Sequence, residues 1–277
     1  MRCSDVSANR FLGPTALRRG VVALSALAFG LICCVESAAG ESAVATPDAT
    51  ATVAVPDDPA VDVDDAPGTG TAADPEVAKW EDDIAALVAL DQTESADGAI
   101  LFIGSSSIRL WTDIAEDMAP WTVVRRGYGG AALLDVRHYV VRLIRSHDPR
   151  AVVLFVGNDI KGGQRDRTPE QVLALFDDVC EIIRRDDPER LIFYIGVTPT
   201  PERFDAWPQI DAANTLIAER CAEKPNTEFI ATDDIYIRDG QVRRELFGDD
   251  NLHQNRTGYG LWSDRIKTRL LETLGTP

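Results

Sequence analysis

A serine hydroxyl becomes a useful nucleophile only when a neighbouring base takes its proton, and that base is most often histidine. The chain has three histidines, His138, His147 and His253. His138 lies inside the helical pattern LLDVRHYVVRLI, and His147 in a SHDPR turn leading into an apolar run. His253 ends the polar stretch Asp249-Asp250-Asn251-Leu252-His253. A carboxylate three positions before an imidazole can reach the ring, fix its tautomer and stabilise the imidazolium. Much earlier in the chain, Gly104-Ser105-Ser106-Ser107 follows another apolar run. A hydroxyl held there would sit at a strand-to-helix turn, where backbone N–H groups favour negative charge. Gly129-Gly130 offers an uncrowded backbone N–H, and Asn158 a side-chain amide, after two further runs. Several donors converging on one oxyanion are what acyl transfer requires. The bland alternative is that the serines cap a helix and that the glycines and Asn158 form turns. The GxSxG elbow of α/β-hydrolases is absent, because position 108 is Ile108.

These clusters must be positioned by a fold. Val77–Leu90 has apolar residues at helical spacing. Short, nearly all-apolar runs follow at 99–103, 122–124, 151–156, 191–197 and 229–231. Runs without polar alternation suit parallel strands covered on both faces. Helical patterns fall between them, near 107–118, 131–146, 169–186, 209–222 and 256–274. Thr168-Pro169-Glu170 reads as a helix start, with a capping threonine and proline at the first helical position. The alternation predicts a doubly wound, three-layer α/β/α sandwich. In such folds ligands bind beyond the carboxyl ends of the strands, where all four clusters fall.

Taken in order, the clusters resemble the conserved blocks of the SGNH (GDSL-like) hydrolases, over about 200 residues from Trp80 to Leu274. Gly104-Ser105-Ser106 resembles the first block, RRGYGGA the glycine block, VGNDI the third, and Asp250-Asn251-Leu252-His253 the last. The stretches GSSSIRLW and HQNRTGYGLW are similar to the secreted GDSL-type esterase branch. The resemblance implies a flavodoxin-like, parallel five-stranded sheet and ester hydrolysis without metal or cofactor. It implies Ser106 as nucleophile, with Asp250 and His253 completing a triad. It implies an oxyanion hole built from Ser106, Gly130 and Asn158. The chain departs from the family pattern at Ser105, Arg125 and Val156, where Asp, Asn and Gly are usual.

The expected substrate is a short-chain acyl or acetyl ester, a small molecule or a glycan. A lysophospholipase or thioesterase is the alternative, and a catalytically silent glycan-binding domain is the reading from another class. Phe204 and Trp207, in the Pro-rich PTPERFDAWPQI segment, are candidates to wall the site, with structural packing the equal alternative for Trp207. Gly127-Tyr-Gly-Gly-Ala-Ala matches a dinucleotide fingerprint, but no acidic residue ends the next strand, which disfavours that reading.

The remaining sequence bounds the class. The 277 residues carry a net charge of −17, which opposes binding to nucleic acid. No apolar run reaches 18 residues, so a multi-span membrane protein is excluded. Arg10, Arg18 and Arg19, an apolar run from Val21 to Val35 and small residues at 37–40 read as an export signal over 1–39. A lipid-modified Cys33 or Cys34 is the alternative end of that signal, and an uncleaved anchor helix is disfavoured by a run of fifteen apolar residues, so membrane anchoring would be through the N-terminus only. Residues 40–76 read as a solvated linker, with nine acidic residues and no basic ones between Glu41 and Glu76. An exported hydrolase domain over 77–277 is the expectation. Cys180 and Cys221 would then be the mature chain's cysteines, more readily two buried thiols than a disulfide.

Overall fold

In the computed structural model of the protein, the structure describes residues 75–277. The predicted signal over 1–39 and nearly all of the predicted linker lie outside these residues. The first element, α1 (Pro75–Ala78), starts inside the last two linker positions. The sheet strands are β1 (Ile100–Gly104), β2 (Val123–Gly127), β3 (Ala151–Phe155), β4 (Leu191–Ile195) and β5 (Thr227–Ile230). α2 (Glu81–Ala89) precedes β1, and the strands are joined through α3 (Ser106–Leu110), α4 (Ile114–Asp117), α5 (Leu133–Ile144), α6 (Pro169–Ile183) and α7 (Trp207–Glu223). After β5 come α8 (Asp233–Tyr236), a hairpin of β6 (Ile237–Arg238) and β7 (Gln241–Val242), and α9 (Arg256–Leu274).

The five sheet strands are all parallel, in the order β2-β1-β3-β4-β5. This is the doubly wound, flavodoxin-like arrangement that the family resemblance implies. β1 and β3 are buried throughout, which explains their uninterrupted apolar runs. Their alternate residues feed two cores. Leu101, Ile103, Val152 and Leu154 pack with α2, α5, α6 and α7, through residues such as Ile84, Tyr139, Phe176 and Ile217. Ile100, Phe102, Val153 and Phe155 pack with α3, α4 and α9, through Ile108, Ile114 and Trp262. The sheet is thus the middle of three layers. Its order reverses between β1 and β3, so a crevice opens beyond their carboxyl ends.

Two elements differ from the sequence reading. β2 runs past Val124 to Gly127 and includes Arg125 and Arg126. Arg126 is fully buried, and its guanidinium donates to Asp91 at 2.7 Å and to Glu94 at 2.7 Å. That pairing offsets the cost of burying its charge. The single helix expected over 107–118 is instead α3 and α4. Trp111 leaves the helical conformation between them, donating its indole N–H to Asp117 and stacking on Tyr259. Cys180 and Cys221 are both free and buried in the first core, and burial pushes each thiol up to about 12.

Candidate active site

The crevice is built from strand ends. At the end of β1, Gly104 admits a close approach to β3: a Cβ there would lie 2.1 Å from the Phe155 carbonyl oxygen. The Ser105 N–H donates to that same carbonyl at 3.0 Å. Ser105 is extended and caps α3, so Ser106 is the first helical residue and its N–H has no partner within the helix. Tyr259 of α9 fastens this turn from behind, its hydroxyl donating to the Ser107 carbonyl at 2.8 Å.

The loop before α9 is folded by Asp250. Its Oδ1 accepts the N–H groups of Leu252 and His253, each at 3.0 Å, and Asn251, between Asp250 and Leu252, takes a positive φ of 58°. Asn tolerates that left-handed conformation better than most residues. The other oxygen, Oδ2, lies 2.6 Å from Nδ1 of His253, and Nε2 of the same ring lies 2.8 Å from Oγ of Ser106. Partial burial works to raise the Asp250 carboxyl. The hydrogen bonds from the His253 ring and from the His253 and Leu252 N–H groups outweigh it, and hold it at about 2. An ionised carboxylate only accepts, so Nδ1 carries the ring proton. Nε2 is then left to accept from the Ser106 hydroxyl.

The end of β3 supplies Asn158. Its Nδ2 donates to the Ala131 carbonyl at 2.9 Å, and its Oδ1 accepts from Arg203 at 3.0 Å. Arg203 also donates to the Gly157 carbonyl at 2.6 Å. Burial lowers its pKa from the ordinary arginine value. With Oδ1 occupied by a cation, the amide cannot flip, and its second N–H stays on the Nδ2 side.

Ser106, His253, Asn158 and Arg203 line one small cleft of about 30 Å³, together with Phe155, Val197 and Ile210. Thr198 Oγ1, Thr200 Oγ1 and Gln254 Oε1 also belong to residues of this lining, and among the described residues they have no hydrogen-bond partner. Gly130 lines a second cleft that shares Asn158. It takes a φ of 76°, and a Cβ there would meet the Trp80 ring at 3.2 Å, so both conformation and space call for glycine.

Of the two readings of Trp207, packing is the one observed, and the wall expected from Phe204 is not. Trp207 packs against the first core, and neither it nor Phe204 lines the small cleft. The same segment contributes Arg203 and Ile210 instead, because Trp207 opens α7 and its ring is drawn to the apolar layer. The other two histidines are structural or peripheral. His138 is exposed on α5. His147 accepts the Ala96 N–H on Nδ1, so its Nε2 carries the proton and donates to Asp91 at 2.9 Å. Among the described residues, no group of three or more His, Cys, Asp or Glu side chains is arranged to hold a metal.

Comparison with known proteins gives a consistent picture. A family model described as GDSL-like Lipase/Acylhydrolase family matches residues 103–261, more than half of the chain. No curated protein matches the sequence. The fold is similar to that of a Streptococcus pneumoniae protein provisionally assigned as a platelet activating factor, with TM-score 0.62 and 21% identity over 70% of this chain and 94% of that one. It is similar to a GDSL-like lipase from Bacteroides thetaiotaomicron, with TM-score 0.52 and 18% identity over 71% and 97% of the two chains. It is also similar to a Clostridium thermocellum family 3 carbohydrate esterase, with TM-score 0.50 and 16% identity over 64% and 98%. At these identities the likenesses speak for the fold.

Proposed function

Because this chain belongs to the GDSL-like lipase/acylhydrolase family, and so is a hydrolase of ester bonds, we propose that it cleaves short-chain carboxylic esters with Ser106 as nucleophile, His253 as base and Asp250 as the group that orients the base. The observation that carries this reading is the continuous path from Asp250 Oδ2 through the His253 ring to Ser106 Oγ, at 2.6 and 2.8 Å. Nε2 accepts the hydroxyl proton as Oγ attacks the ester carbonyl. Asp250 stabilises the imidazolium that forms. The Ser106 N–H, the free N–H of Asn158 Nδ2 and the Gly130 N–H are the donors proposed for the oxyanion. The imidazolium then protonates the departing alcohol. Water, activated by the same ring, cleaves the acyl-serine and restores the hydroxyl.

The small size of the cleft beside Ser106 supports a short acyl group such as acetyl. The open, polar second cleft supports a polyhydroxylated alcohol, as in a glycan ester. Export, through residues 1–39, is part of the same proposal and would place the enzyme outside the cytoplasm.

A fluorophosphonate probe tests the assignment, because it bonds only to an activated serine. The expected result is one modified peptide carrying Ser106, and no modification in Ser106→Ala. A probe that leaves the folded protein unlabelled would overturn the reading in favour of a silent binding domain.

A further inference from the structure

Two clefts of very different size share Asn158. The one at Ser106 offers about 30 Å³, and the other about 680 Å³. The larger cleft is framed by the loop over residues 160–167, and that loop is fixed by one carboxylate. Asp166 Oδ2 accepts the N–H groups of Lys161, Gly162 and Gly163 at 2.7, 2.6 and 3.0 Å. The cleft's other two acids are similarly engaged. Asp135 accepts the Ala132 N–H at 2.8 Å, and Asp159 accepts the Leu133 N–H and a bond from Arg167. The acidic groups thus hold the frame while still carrying charge, and Asp159 is paired with Arg167. Four basic residues stand around them: Lys79, Lys161, Arg165 and Arg167. Lys79 and Lys161 are exposed, and Lys79 lies over the Trp80 ring at 5.0 Å. In a chain of net charge −17, four basic against three acidic residues in the lining of this cleft run contrary to the overall balance.

We propose that the larger cleft receives the alcohol moiety of the ester and selects for an anionic oxyacid group on it, a carboxylate or a phosphate. This rests on the hydrolase reading above. The size difference assigns the parts, with the acyl group in the small cleft and the alcohol in the large one. Lys79 and Lys161, the two exposed lysines of the lining, then face the anion. Asn158, shared by both clefts, puts the bound alcohol next to the reacting carbonyl.

The test compares three acetyl esters on the full chain: an acetylated methyl glucuronoside, its neutral methyl ester, and an acetylated sugar phosphate. The expected kcat/KM ratio of either anion over the neutral ester is about tenfold at low salt, the combined effect of two exposed charge pairs. It should shrink toward one as salt rises. The double variant Lys79→Gln, Lys161→Gln should lose most of that ratio, whatever happens to the absolute rates. The first and third esters separate carboxylate from phosphate as the preferred group. A ratio at or below one at low salt, with the neutral ester still hydrolysed, overturns this inference and leaves the hydrolase reading intact. A ratio that survives the double variant overturns it equally. Loss of all turnover together with loss of fluorophosphonate labelling removes the hydrolase reading, and this inference with it.

Discussion

Nε2 of His253 lies 2.8 Å from Oγ of Ser106, across 147 positions of sequence. The fold alone brings them together: β1 delivers the serine to the sheet's switch point, and the loop before α9 lays the imidazole over it. Removing the hydroxyl removes the proposed nucleophile but no packing, since Ser106 is only partly buried. Ser106→Ala is expected to lower kcat on p-nitrophenyl acetate by about 10³-fold or more, with an unchanged circular dichroism spectrum. A variant retaining most of its rate would show that another group attacks the ester.

Asp250 performs two tasks that a single substitution separates. Its Oδ1 folds the loop and its Oδ2 orients the ring. Asp250→Asn keeps an acceptor for the loop but can present an amide N–H to Nδ1, which favours the wrong tautomer. The expected loss in kcat is about 10²–10⁴-fold with little change in melting temperature. The carboxyl of Asp250 is held at about 2, so this residue stays charged over the whole neutral range. Any acid limb of the rate profile above pH 4 therefore belongs to a different group. A limb that disappears specifically in Asp250→Asn would contradict that assignment.

How much of this was legible beforehand depends on whether the signal was local. The runs at β1 and β3 could be read because both faces of those strands are apolar, and α9 because its pattern spans 256–274 without interruption. Ser106, Asp250, His253 and Asn158 could be read because each lies in a short block at a strand or helix end. Arg126 could not be placed in a strand, because its partners Asp91 and Glu94 are 35 and 32 positions away. Phe204 and Trp207 carry the stronger local signal in that segment, yet it is Arg203 that reaches Asn158. Its role depends on a contact 45 positions distant that no periodicity encodes. The Asp239-Gly240 turn between β6 and β7, with both φ values positive, was a local signal that went unused.

Under the proposed reading Arg203 acts through Asn158, to whose Oδ1 it donates at 3.0 Å, and is a positioning residue. Its bond to Oδ1 fixes which face of the amide presents N–H groups. Arg203→Met is expected to lower kcat by roughly 10–100-fold with a smaller change in KM, comparable to loss of one weakened oxyanion donor. In an Asn158→Ala background the same substitution should cost little more, because the group it positions is already gone. Added guanidinium should restore part of the rate to Arg203→Ala. Strictly additive losses, with no rescue, would mean that Arg203 only supports the local fold.

Asp159 links the site's frame to pH. Burial raises its carboxyl from 3.8 to about 6, against the opposing pull of the Leu133 N–H and Arg167. An acid raised in the folded state binds its proton more tightly there than in the unfolded chain. Stability from this group is therefore fully present below about pH 4 and is lost as pH rises through about 6. The shift corresponds to a contribution of up to about 3 kcal/mol, at about 1.4 kcal/mol per unit. Asp135 is raised by burial as well and acts with the same sign. Asp159→Asn keeps an acceptor for Leu133 but cannot ionise. Urea midpoints measured between pH 4.5 and 7.5 should fall with rising pH in the parent protein and fall less steeply in the variant. Parallel curves would show that the Asp159 carboxyl is ionised across that range, and that Arg167 and the Leu133 N–H outweigh its burial.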